Sequence, residues 1–364
     1  MRASVSAWLW IVLLALEGDD GITKPIFFEL PVQFHDQLVI ENIGDYMEES
    51  WFEGLELQLV MDGGLPKFYE SSFRTTVCDD EVCEIMSMRL LWDLVGNYVG
   101  YDTLPGHPLT KFDHKPFEQE DYIKLHELLL NEGSILKFKK KEELIDKQKV
   151  KASDVIDGTT GATAVEIREE VVEGALYSSY TLWHLAYSGP IKNLLTAHTK
   201  KLFDTHLKQD FLASGREGYR LFAFQQFTPE DFERYKPEWL KALRTDAPLI
   251  RKFILRSLPD AIWKSESIQN EICLAFLEMD VNTKTIVLNK LKSEKVVAAS
   301  NLEILSGFVA AMNKNQTAEF LGFLKNSTSL SSSIRKNLVS ASQDPRYRYD
   351  YLVDEYLAEN NSIP

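Results

Sequence analysis

Cysteine is scarce in this 364-residue chain, which has only Cys78, Cys83 and Cys273. Three are too few for a disulfide-built scaffold and too scattered for a four-ligand zinc site, so at most one bridge can form. Basic charge is short as well, with 40 Lys and Arg against 55 Asp and Glu and a formal net charge of -15. A chain this acidic repels phosphate backbones and anionic lipid surfaces, which sets nucleic acid and membrane surfaces aside as partners. Long apolar runs are missing: the run from Trp8 to Leu16 covers nine residues, about half of what a membrane-crossing helix needs. Also missing are a Gly-x-Ser-x-Gly elbow, a phosphate-binding loop, a dinucleotide fingerprint and a zinc-protease motif, so no residue is assigned a catalytic role. What is present is apolar material, 45% hydrophobic and 11% aromatic, enough to bury a substantial core in two or three domains.

At the N-terminus, Arg2 precedes the short apolar run and Glu17, Asp19 and Asp20 follow it. Residues 1–21 therefore read as a secretory signal peptide, and the expected location is periplasmic or otherwise extracytoplasmic, with no membrane span in the mature chain. The alternative is a buried amphipathic element in a cytoplasmic protein. Residues 22–70 mix aromatics with acids and show no motif. From Ser71 the pattern turns to strand, SFRTTVC and CEIMSMRLLWDLVGNYVGY joined by a short acidic link, which reads as a hairpin. Cys78 and Cys83 flank the turn, either bridged in an oxidising compartment or reduced and half-buried.

EQEDYIKLHELLLNE has helical spacing, with Tyr122, Leu125, Leu128 and Leu129 on one face and acids in the first turn. KFKKKEELIDKQKVKASD, residues 137–154, reads as a solvated connection, and residues 164–187 as one long buried helix. From Ile191 onward the pattern is helical, with breaks near Thr228-Pro229, Asp246 to Pro248, Pro259-Asp260, Asp280 to Asn282, Ser293, Asn313 to Asn315 and Ser327 to Ser333. Helices of similar length joined by short turns describe a HEAT-like solenoid, with a plain bundle as the alternative. Cys273, between Ile272 and Leu274, reads as an inert core thiol.

Between these regions lies Asp157-Gly158-Thr159-Thr160-Gly161-Ala162-Thr163. The stretch resembles the flavinylation motif Asp-x-x-Ser/Thr-Gly-Ala-Thr of FMN-binding domains, such as those in subunits of Rnf-type complexes and sodium-pumping quinone reductases. The resemblance covers residues 71–190 and implies an α+β FMN-binding-like domain followed by the all-α helical-repeat region, 191–364. It implies FMN attached through its phosphate to Thr163, with Asp157, Thr160, Gly161 and Ala162 read by a flavin transferase. It also implies electron exchange with an unidentified redox partner protein. The family's Glu-Thr-Pro-Gly-like loop is replaced here by Gly106-His107-Pro108-Leu109-Thr110-Lys111. A phosphodiester could sit at the N-terminus of the following helix, where amides lack intrahelical partners. Without a flavin, Thr163 and Glu166 fit a capping box. The competing reading of the whole chain is an extracytoplasmic interaction scaffold with no cofactor. Asp113, His114, Asp121 and His126 offer metal-ligand types, and the five-residue step from Asp121 to His126 argues against a site. His184 reads as a core histidine with one satisfied hydrogen bond.

Overall fold

Six runs of β-branched, leucine-rich and aromatic sequence form one antiparallel sheet in a computed structural model of the chain. The structure describes residues 24–32, 34, 38–46, 55–75, 85–104, 106–111, 114–144, 165–294, 297–325 and 330–361. It divides into two units, Met1–Leu202 and Phe203–Pro364. The signal-like segment, Cys78, Cys83, Asp113, Asp157, Thr160, Gly161, Ala162 and Thr163 lie outside the described residues.

In the first unit the strands are β1 (Phe27–Phe28), β2 (Val39–Tyr46), β3 (Leu55–Asp62), β4 (Leu65–Thr75), β5 (Met86–Trp92) and β6 (Tyr98–Thr103), in the order β1-β6-β5-β4-β3-β2. Residues 22–70 thus contribute β1, β2, β3 and the start of β4 to the same sheet. Leu59 pairs with Tyr69 and Tyr69 with Trp92, while Leu90 pairs with Tyr101. Alternation puts these on one face. Helices α1 (Gln119–Leu130), α3 (Leu176–Ala186) and α4 (Gly189–Leu202) hold that face by specific bonds. Trp92 Nε1 donates to the Ala186 carbonyl at 3.0 Å, and the Tyr101 hydroxyl donates to the Tyr122 carbonyl at 2.8 Å. On the opposite face Val60, Phe68 and Leu91 form a smaller cluster with Leu30 and Val99. Beside it Arg89 bridges Glu70 and Asp102. Burial raises both carboxyl pKa values above the ordinary range, and Arg89 opposes the shift. β1 approaches β6 where Gly100 has no side chain: a Cβ there would stand 2.1 Å from the Phe27 carbonyl oxygen.

The expected long helix over residues 164–187 is interrupted. It consists of α2 (Val165–Arg168), a turn, and α3. Gly174 is the breakpoint, at φ +76 in the left-handed region that other residues avoid.

The described residues of the second unit are helical apart from their connections, and several of its helix starts follow capping chemistry visible in the sequence. Thr228 caps α7 (Pro229–Arg234), Asp280 caps α12 (Val281–Lys292) and Ser331 caps α15 (Ser332–Ser342), each accepting from an amide of the first turn. The other helices are α5 (Thr205–Ala213), α6 (Glu217–Gln225), α8 (Lys236–Thr245), α9 (Pro248–Ser257), α10 (Asp260–Trp263), α11 (Glu266–Leu274), α13 (Ala299–Ser306), α14 (Lys314–Lys325) and α16 (Asp350–Asn361). They stack in two rows, α9-α12-α14-α16 and α8-α11-α13-α15. A period of 33 residues runs through both: α9, α12 and α14 begin at 248, 281 and 314, and α11, α13 and α15 begin at 266, 299 and 332. Two 3-10 turns, Phe276–Glu278 and Val309–Ala311, keep the same step. So do the buried triplets Ile254, Val287, Phe320 and Ile272, Leu305, Leu338. Cys273 is fully buried in this core, and burial pushes its thiol up to about 12.

Candidate functional site

The sequence motif ends two residues before α2, so the residues that grip α2 and the turn after it define the neighbourhood. The segment 131–144 provides that grip. Residues 137–144 expose Lys137, Lys140 and Glu143 as their charge suggests, but the backbone is anchored: Leu144 is fully buried, as is Leu136 just before them, and two 3-10 turns, Ile135–Phe138 and Lys141–Glu143, shape it.

Four α3 side chains fasten that segment and the end of α1 through their carbonyls. The Tyr187 hydroxyl, just past α3, donates to Leu129 at 2.8 Å, and Trp183 Nε1 donates to Asn131 at 2.9 Å. His184 Nε2 donates to Leu136 at 3.1 Å, and the Tyr180 hydroxyl donates to Lys139 at 3.1 Å. The acceptor is a carbonyl, so Nε2 carries the His184 proton. Carboxylates just after the motif hold the other side. Glu170 accepts from the buried Ser134 hydroxyl and from the Ile135 amide at 3.2 Å, and Glu166 pairs with Lys139. The loop 106–111 also adjoins this region, because a Cβ on Gly174 would stand 3.2 Å from the Lys111 side chain.

The segment presents an unusual surface. Phe138 is 76% exposed although its neighbours Leu136 and Lys139 are bonded in place, and Lys137 and Lys140 are exposed beside it. Lys141 lies over the Tyr177 ring at 5.6 Å. Cations beside an exposed aromatic suit an anionic, ring-bearing ligand. Comparison with protein-family models, curated proteins and solved structures finds no match to this chain.

Other polar residues have structural partners. His126 is buried, its Nε2 donating to Glu29 at 2.9 Å and its Nδ1 facing the Tyr98 hydroxyl at 3.0 Å, with Phe27 stacked on the ring. Burial lowers its pKa below the ordinary histidine value, against the pull of Glu29. Asp121 pairs with Lys111 at 2.7 Å and not with His126. Among the described residues no group of three or more His, Cys, Asp and Glu is arranged to hold a metal ion. The Tyr69 hydroxyl meets Thr199 Oγ1 at 2.7 Å and His198 Nδ1 at 3.1 Å, and burial pushes that phenol up to about 12.

The structure also alters the proposed phosphate site. α2 has only four residues, and a single turn aligns too few peptide dipoles to attract an anion strongly. Glu166, the expected capping partner of Thr163, is paired with Lys139. Sequence reasoning missed Ser134, Phe138, Lys139 and Glu170. The bonding partners of Ser134, Lys139 and Glu170 lie 27 to 41 residues away, beyond any local pattern.

Proposed function

We propose that this chain is an exported flavoprotein that carries FMN on Thr163 through a phosphodiester and takes part in extracytoplasmic electron transfer. The flavin, when attached, supplies one- and two-electron redox chemistry. The reading rests on the motif Asp157 to Thr163, and the observation that carries it in the structure is the grip of Glu166 and Glu170 on residues 134–139. Glu166 is three Cα steps from Thr163, a span the chain cannot stretch beyond about 11 Å. That bound keeps a group on Thr163 within reach of the segment that Glu166 holds at Lys139, whose chain neighbours are Lys137, Phe138 and Lys140. The donor set fits FMN: ammonium groups for its negative charge and an aromatic face for the ring. Attachment by a flavin transferase would join the Thr163 oxygen to the FMN-side phosphorus of FAD and break the pyrophosphate bond. AMP would leave, and the hydroxyl proton would pass to solvent.

Expression with a flavin transferase, followed by denaturation, tests the reading. The polypeptide should stay yellow and gain the mass of one FMN less one water, and Thr163→Ala should be colourless. Equal flavin in the Thr163→Ala protein overturns the assignment.

One observation favours a docking role for the helical unit, which we read as a HEAT-like stack with a period shorter than the roughly 40–47 residues of HEAT repeats. Leu249, Leu274, Leu277 and Val281 are exposed around one seam, where Arg244 and Arg251 bond to Glu278 and to the turn carbonyls. One repeat on, the equivalent positions hold Asn282, Gly307, Ala310 and Lys314. The stack itself therefore does not require apolar residues there, which supports a partner-facing use of the first repeat.

A further inference from the structure

We propose that Phe138, flanked by Lys137 and Lys140, is the seat on which the flavin ring rests; this inference depends on the FMN assignment to Thr163. The backbone around Phe138 is fixed from both sides. His184 and Tyr180 hold the carbonyls of Leu136 and Lys139, and Glu170 and Glu166 hold Ile135 and Lys139. The local chain buries apolar side chains readily, since Leu136 and Leu144 are fully covered. Yet Phe138 stands 76% exposed on this fastened backbone. A fastened backbone that leaves a bare aromatic face exposed, one residue from the Lys139 that pairs with Glu166, is preorganised for stacking with a ring system tethered through that link. The two exposed lysines place positive charge where a reduced flavin gains negative charge. That charge favours the reduced form and raises the flavin potential.

The test uses the full chain expressed with a flavin transferase, as wild type, Phe138→Ala, Phe138→Trp and Lys137→Glu/Lys140→Glu. Denatured mass reads whether Thr163 carries flavin, independently of the seat. Native flavin fluorescence and visible circular dichroism read the stacking. With flavin loading equal in all four, Phe138→Ala should raise fluorescence several-fold and weaken the visible dichroism. Phe138→Trp should stay quenched, and the double charge reversal should lower the midpoint potential. Loaded proteins whose fluorescence and dichroism do not respond to Phe138→Ala overturn the seat and leave the attachment standing. A wild-type chain without covalent flavin overturns both. Phe138 is too exposed for its replacement to threaten folding, and unchanged far-ultraviolet dichroism checks this.

Discussion

Replacing Glu170 by alanine removes the single carboxylate oxygen that serves both the Ser134 hydroxyl and the Ile135 amide. Ser134 is fully buried, so its hydroxyl cannot turn to water without opening the segment. An unsatisfied buried donor costs about 1–3 kcal/mol, and two donors sharing one lost acceptor should cost about 2–4 kcal/mol together. At about 1.4 kcal/mol per tenfold, local opening of residues 131–144 should become roughly 30- to 700-fold more frequent. Hydrogen–deuterium exchange read by mass spectrometry on a peptide covering these residues measures this directly. Exchange of peptides from the helical unit provides the internal reference. Glu170→Gln keeps an acceptor in place and should cost about 1 kcal/mol, the difference between a charged and a neutral bond. If exchange across 131–144 in Glu170→Ala matches wild type, the segment is not held by this carboxylate and the tether from α2 to the lysines fails with it.

Gly100→Ala would force a methyl group against the Phe27 carbonyl; β1 should detach from β6 and thermal unfolding should show a loss of about 1–3 kcal/mol or more. His126 is held neutral, its pKa lowered by burial, so its contribution to stability is full above the unfolded-state value near 6.5 and is lost as pH falls toward the folded-state value. Unfolding midpoints of wild type and His126→Asn measured from pH 7.5 to 5 should therefore converge on acidification; a constant gap refutes this. If the expected Cys78–Cys83 bond is formed, then with Cys273 buried and its thiol pKa raised the native protein should expose no reactive thiol. Denaturation alone should release one, and denaturation with reductant all three cysteines of the chain; three without reductant would exclude the bond.

Local chemistry made much of the fold legible. Thr228, Asp280 and Ser331 mark helix starts because a short polar side chain there satisfies amides that the helix cannot. The β4-β5 hairpin was visible as two alternating runs with an acidic link. The 33-residue repeat was hidden, because Ile254, Val287 and Phe320 share only burial, and identity survives at few positions such as Leu258, Leu291 and Leu324. The break at Gly174 was obscured by apolar residues on both sides of it. Lys137 and Lys140 are solvated as their charge suggests, but the anchoring of the segment at Leu136 and Lys139 was hidden because it comes from Tyr180 and His184 on α3 and from Glu166 on α2. Periodicity reads what a residue shares with its own turn, and not what a distant side chain donates to its carbonyl.

The 33-residue step of the second unit gives it the character of a ruler. Each joint meets its neighbour through equivalent positions, so removing one whole period, residues 281–313, would bring α9 against α14 with Ile254 facing Phe320 in place of Val287. A cut of any other length would set apolar stripes against polar ones. The reach of this half of the molecule can thus be shortened or extended only in whole notches, which leaves its span adjustable by duplication without redesign of its interior.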